Sequence, residues 1–161
     1  MRFQLVDKII ELIPGQRIVT AKNLTLGEEY LADHFPMFPV LPGVLMLEAL
    51  VQSAAWLIRA SSDFKHSVIV LREVKGIKYG SFLEPGQQMK ITIDATASGI
   101  DPQAELLTFK GQGERDGTSV VNGRIVLARY NLADKNPVYS SVDQKLIQGY
   151  RLEFARLWPG K

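Results

Sequence analysis

Cysteine is absent from the 161 residues. The chain therefore holds no disulfide framework, no cysteine–zinc site and no thiol nucleophile, and a reducing cytoplasm fits it. Histidine is scarce: only His34 and His66 occur. No run of 18 or more apolar residues escapes polar interruption, which speaks against a spanning helix. The opening Met1-Arg2-Phe3-Gln4-Leu5-Val6-Asp7-Lys8 lacks the uninterrupted apolar stretch of a signal peptide. A surplus of one charge is missing too. There are 19 Lys and Arg against 17 Asp and Glu, a net charge of +2, and the whole excess falls in residues 131–161. A nucleic-acid binder usually shows a concentrated basic face, so that class is disfavoured. A local basic patch still suits an acidic partner, because steering depends on local charge. What is present is ordinary: 46% hydrophobic and 22% charged residues, enough to bury the core of one domain.

Residues 3–13 and 16–26 are rich in Leu, Val and Ile, with Pro14-Gly15 between them as a turn signal. This predicts two strands, adjacent in a sheet. Pro36, Pro39 and Pro42 make 31–42 an ordered, non-helical loop, since proline fixes its own backbone and pushes the preceding residue toward extended geometry. Residues 43–60 are dominated by helix formers and open on Pro42-Gly43, a helix start. That helix is apolar almost all round, apart from Glu48, Gln52 and Ser53, and so belongs in a core. Four further strands are expected at 67–83, 88–98, 104–114 and 118–130. They are separated by Glu84-Pro85-Gly86, by Ser98-Gly99-Ile100-Asp101-Pro102 and by Asp116-Gly117. Tight turns imply an antiparallel sheet, and one sheet with one buried helix is an α+β architecture. Residues 131–138 read as a linker. Ser141 and Gln144 fit a capping box, and Leu146, Ile147, Tyr150, Phe154 and Leu157 recur at helical spacing. The division expected is a domain over 1–130 and an extension over 131–161.

His66, beside Lys65 at a strand start, reads as structural or solvated. His34 stands in a stiff, aromatic-rich loop leading into the greasy helix. A glutamate on that helix must be neutral, paired or facing a cavity, and burial raises a carboxyl pKa. Glu48 is either a structural group satisfied by Gln52, one turn away on the same face, or a chemical group whose carboxyl Gln52 orients. An imidazole and a buried carboxylic acid in one cleft make a general base and a general acid. The helix start offers free N–H groups, and Gly43 admits close approach, so its amide is a natural oxyanion donor.

The run His34-Phe35-Pro36-x-x-Pro39-Val40-x-Pro42-Gly43-Val44-Leu45-x-x-Glu48-Ala49-x-x-Gln52 resembles the signature of the bacterial 3-hydroxyacyl-[acyl-carrier-protein] dehydratases, in the branch with glutamate on the helix. Weaker similarity extends from Leu5 to about Tyr130. The resemblance implies a hot-dog fold, a long helix wrapped by an antiparallel sheet. It implies a homodimer, with trimers of dimers in the family, whose sites combine His34 of one copy with Glu48 of the other. Gly43 would bind the thioester oxygen, the Val40 carbonyl would orient His34, and Gln52 would hold Glu48. Phe35, Met37 and Phe38 would line an apolar acyl tunnel. No metal or cofactor is implied, and the partner is acyl carrier protein bearing the substrate. Asp33 and Met37 stand where the family usually has glycine, and Lys78-Tyr79-Gly80 lacks one basic residue of a basic-aromatic-basic run. Lys75, Lys78, Arg72 and Arg59 are candidates for a carrier-docking rim. The competing readings are a hot-dog acyl thioesterase and a non-catalytic acyl or carrier-protein binding module.

Overall fold

The computed structural model describes residues 3–96 and 99–159. Strand β1 (Lys8–Ile13) turns at Pro14-Gly15 into β2 (Arg17–Asn23), and the two pair antiparallel. A proline-bounded loop then leads to helix α1 (Gly43–Ser61), followed by β3 (Val68–Tyr79), β4 (Gln88–Ala95), β5 (Leu106–Arg115) and β6 (Thr118–Tyr130). All neighbours are antiparallel, in the order β1-β2-β4-β5-β6-β3. The end of the expected strand over 88–98 falls on Ala97 and Ser98, outside the described residues.

The order corrects one expectation. Strands β3 and β4 follow each other in sequence but lie apart, because β3 pairs with β6 at the sheet's edge. The Glu84-Pro85-Gly86 turn closes no hairpin. It delivers the chain beside β2, where the Gly86 amide donates to Leu24 O and the Leu24 amide to Gln87 O. A true hairpin forms at Asp116-Gly117, where both residues take positive φ, 49° and 77°, as a tight turn between twisted strands requires.

Helix α1 lies in the curl of the sheet. Leu50, Ala54, Leu57 and Ile58 are fully buried against Ile18, Ile91, Ile93, Phe109 and Ile125. Gly111 on β5 permits this approach: a Cβ there would stand 3.1 Å from Leu50 Cδ1. Ser53, buried on the same face, shares a 2.8 Å hydrogen bond with Thr20 Oγ1 and donates to Ala49 O, so no polar group is stranded. The helix is long and apolar enough to cross a membrane, with a mean hydropathy of 1.3 over an 18-residue window, but 61% of that window is buried inside this fold. The arrangement is the hot-dog form of the expected α+β class.

After β6 the chain makes two short 3-10 turns, Leu132–Asp134 and Pro137–Tyr139, and enters helix α2 (Ser140–Leu157). The Ser141–Gln144 capping box does not form, because the helix already begins at Ser140, with Tyr139 as its cap. The reciprocal box occurs at Asn131 and Asp134, where the two side chains bond each other's backbone amides. Asp143 anchors α2. Its carboxylate accepts from the Ser67 hydroxyl and from the amides of Leu132 (3.0 Å) and Ala133 (2.8 Å). Ile147, Tyr150, Phe154 and Leu157 pack on the core as their spacing predicts, whereas Leu146, of the same set, is half-buried outside it, and Arg151 pairs with Asp63 at 2.9 Å.

Candidate active site

The helix start carries no side-chain cap. Pro42 caps α1 with no side-chain hydrogen bond, and its carbonyl accepts from Leu45 and Met46. Helix geometry leaves the Gly43 amide without an intrahelical acceptor. The ring of Tyr79 lies over Gly43, where a Cβ would come within 3.1 Å of it. One turn further, Glu48 is half-buried and faces a cavity of about 260 Å³. Gln52 Nε2 donates to Glu48 Oε1 at 3.0 Å and to Phe3 O at 3.0 Å, while its Oε1 accepts from the Leu5 amide at 2.9 Å. Gln52 thus ties the N-terminal segment to the same helix face that carries the carboxylate.

His34 lies elsewhere. Within one chain it shares no hydrogen bond with Glu48 and does not line the Glu48 cavity. Among the described residues neither of its ring nitrogens is paired, and the hydrogen bond expected with the Val40 carbonyl is not formed. The ring rests instead on Phe35, 4.5 Å between centroids, and Phe35 is held at φ 49°. Phe35, Met37 and Phe38 do not line a tunnel within the chain. They are 60%, 97% and 49% exposed, and Phe38 meets Phe82, also exposed, edge-on at 5.6 Å. Val40, by contrast, is buried.

Of the four rim candidates, Lys75 and Lys78 share a groove of about 380 Å³ with Lys110 and Arg124. Cross-strand register sets Lys110, Arg124 and Lys75 side by side on β5, β6 and β3. Arg72 is exposed but outside the groove. Arg59 is no rim residue: it is 7% exposed, with its guanidinium 3.9 Å over Tyr150 and 5.1 Å over Trp56. The missing basic residue at Gly80 has a steric reason, since a Cβ there would sit 2.3 Å from Ser119 O. His66 lines a separate cavity beside Lys65 and Arg129. Burial first, then those two cations, hold its pKa below the usual imidazole range.

Residues 1–124 match the model of the FabA-like domain. The chain belongs to the FabA-like domain family. A FabZ 3-hydroxyacyl-[acyl-carrier-protein] dehydratase of Myxococcus xanthus is 34% identical over 126 residues, covering 77% of this chain and 80% of that protein. The enzyme of the same description from Syntrophomonas wolfei is 42% identical over 95 residues, 59% of this chain and 66% of that protein. Among solved structures, the dehydratase heterocomplex ApeI:P of Xenorhabdus doucetiae superposes with a TM-score of 0.66 at 14% identity, covering 85% of this chain and 90% of that one. In this FabA-like chain, the match ends within β6, so α2 lies beyond it.

The wall of the Glu48 cavity was only partly legible in the sequence. Trp56 and Arg59 continue the helix face of Glu48 and Gln52 at spacings of three and four, and that was the available signal. Tyr150 and Glu153, which also line it, come from α2, and no local pattern says where α2 docks.

Proposed function

We propose that the chain removes water from a (3R)-3-hydroxyacyl thioester on acyl carrier protein, giving the trans-2-enoyl thioester, through His34 and Glu48. The class of reaction rests on family membership: residues 1–124 are FabA-like, and relatives 32–34% identical over most of their length carry the dehydratase name. The chain is an enzyme of fatty-acid synthesis of that class, and acyl carrier protein is its partner. His34 takes the proton from the carbon beside the thioester carbonyl. The electron pair forms the new double bond, the C3–O bond breaks, and the hydroxyl leaves as water with a proton from the Glu48 carboxyl. The proton on His34 then returns to Glu48. The Gly43 amide, at an uncapped helix start, holds the carbonyl oxygen as it gains charge. Each proton move has its side chain, so no cofactor is called for.

The observation that carries the assignment of roles is the Glu48 carboxylate: the one acid on α1, turned toward a cavity and fixed by Gln52. His34 and Glu48 do not meet within one chain, so we read the working unit as a homodimer, with hexamers of three dimers as its larger form. Two features support it. Among the described residues β3 pairs only with β6, and its free edge exposes Val70 and Leu71. The loop bearing His34 exposes Phe35, Met37 and Phe38 together with Phe82, an apolar group that a second copy would cover. We place the carrier protein on the row of Lys75, Arg124 and Lys110, because an acidic partner offsets like charges set side by side. Residues 1–130 form the catalytic unit in this reading, acting in the cytoplasm. The test is hydration of a crotonyl thioester by His34→Ala and Glu48→Gln. Each should lose roughly 10²–10⁴-fold in rate with an unchanged melting temperature. Near-wild-type rates in both would overturn the assignment.

A further inference from the structure

Part of the wall of the cavity beside Glu48 is built by the helix that the family match leaves out. Along α1 its wall is Glu48, Val51, Gln52, Ala55, Trp56 and Arg59. These positions form one face over three turns, a rise of about 16 Å along the helix axis from Glu48 to Arg59. Ile69, at the start of β3, also lines the cavity, and near Glu48 the opposite wall is Phe3, whose carbonyl accepts from Gln52. At the far end it is Tyr150, whose ring covers the Arg59 guanidinium at 3.9 Å and meets Trp56 edge-on at 6.1 Å between centroids. The end wall is braced from behind. Phe154 packs on Trp56 and on Phe64, and Glu153 accepts from Gln4 Nε2 at 3.2 Å. Gln4 sits between Phe3 and Leu5, the residues that Gln52 holds.

We propose that α2 is the chain-length stop of the acyl site, with Tyr150 and the Trp56–Arg59 stack as its end wall. The inference rests on the dehydratase reading and adds the specificity to it. An alkyl chain advancing from Glu48 follows Val51 and Ala55, with Gln52 on its flank, and then meets a stacked cation. To go further it must part Tyr150 from Arg59 and break the stack of a buried cation on that ring, which is unfavourable. Chains that end before Trp56 fit, and longer ones do not.

The experiment uses the full-length protein and 3-hydroxybutyryl, 3-hydroxyoctanoyl and 3-hydroxypalmitoyl thioesters of acyl carrier protein, comparing kcat/KM. The wild type should disfavour the palmitoyl-length substrate at least about tenfold against the octanoyl one. Tyr150→Ala should raise palmitoyl kcat/KM relative to octanoyl about tenfold by opening the end wall. Tyr150→Trp, which keeps an aromatic brace for α2, should lower the octanoyl rate relative to the butyryl one. Length ratios equal to wild type in both variants would overturn the inference. No turnover by the wild type at any length would overturn the dehydratase reading itself, which is a separate failure.

Discussion

Gln52 is the residue whose removal the structure prices most directly. Its side chain makes three hydrogen bonds, to Glu48, to the Phe3 carbonyl and from the Leu5 amide. Gln52→Leu keeps the bulk and deletes all three. Leu5 is 1% exposed, so its amide would lose its partner where water does not reach, at a cost of about 1–3 kcal/mol. The other two bonds lie nearer solvent, and each adds about 0.5–1 kcal/mol. The expected loss is thus about 2–5 kcal/mol, a fall in Tm of about 4–20 °C for a chain of this size. Calorimetry or tryptophan fluorescence reads it. The same variant frees the Glu48 carboxyl from its donor, so kcat should fall while KM moves little. A Tm within about 2 °C of wild type would refute the idea that Gln52 pins the N-terminal segment.

Acid should release α2 before it unfolds the sheet. Burial opposes the Asp143 carboxylate, but the Ser67 hydroxyl and the amides of Ala133 and Leu132 outweigh it and hold its pKa below the ordinary range. A depressed carboxyl stabilises fully above the unfolded pKa of about 3.9 and loses that contribution as pH falls through the folded value. Trp56 and Trp158 fluorescence should therefore change in acid below about pH 4, and Asp143→Asn should show the released signal already at neutral pH; a variant identical to wild type at pH 7 would contradict this. Reversing Lys110 and Arg124 together to glutamate should cut kcat/KM for carrier-bound substrate, relative to a carrier-free thioester, about tenfold at low salt. An unmoved ratio would remove the basic row from carrier docking.

The strands and α1 were legible because turn chemistry punctuates them: Pro14-Gly15, Pro42-Gly43 and Asp116-Gly117 all stand at element boundaries. The sheet order was not. Glu84-Pro85-Gly86 has hairpin composition, yet nothing local says that β3 has gone to the far edge to meet β6. The capping pattern was misplaced for a related reason. Ser141 and Gln144 have the right spacing, but the chain uses Asn131 and Asp134, at the same spacing, to organise the turn before α2. At the candidate site, Gly43, Glu48 and Gln52 follow from one helix and its periodicity. Arg59 was misjudged as surface because its charge says nothing about the rings of Trp56 and Tyr150 that enclose it. The meeting of His34 with Glu48 has no local signature at all. In the reading proposed above it is a property of two chains, and only the family resemblance pointed to it.

That meeting is tested by mixing defects. His34→Ala and Glu48→Gln copies, unfolded together and refolded, or co-expressed, should form mixed dimers in which one of the two sites regains an intact His34 and Glu48. Random pairing then restores about a quarter of wild-type activity from two variants that are each inactive alone. A mixture no more active than its components, in particles shown to contain both copies, would contradict a site shared between chains.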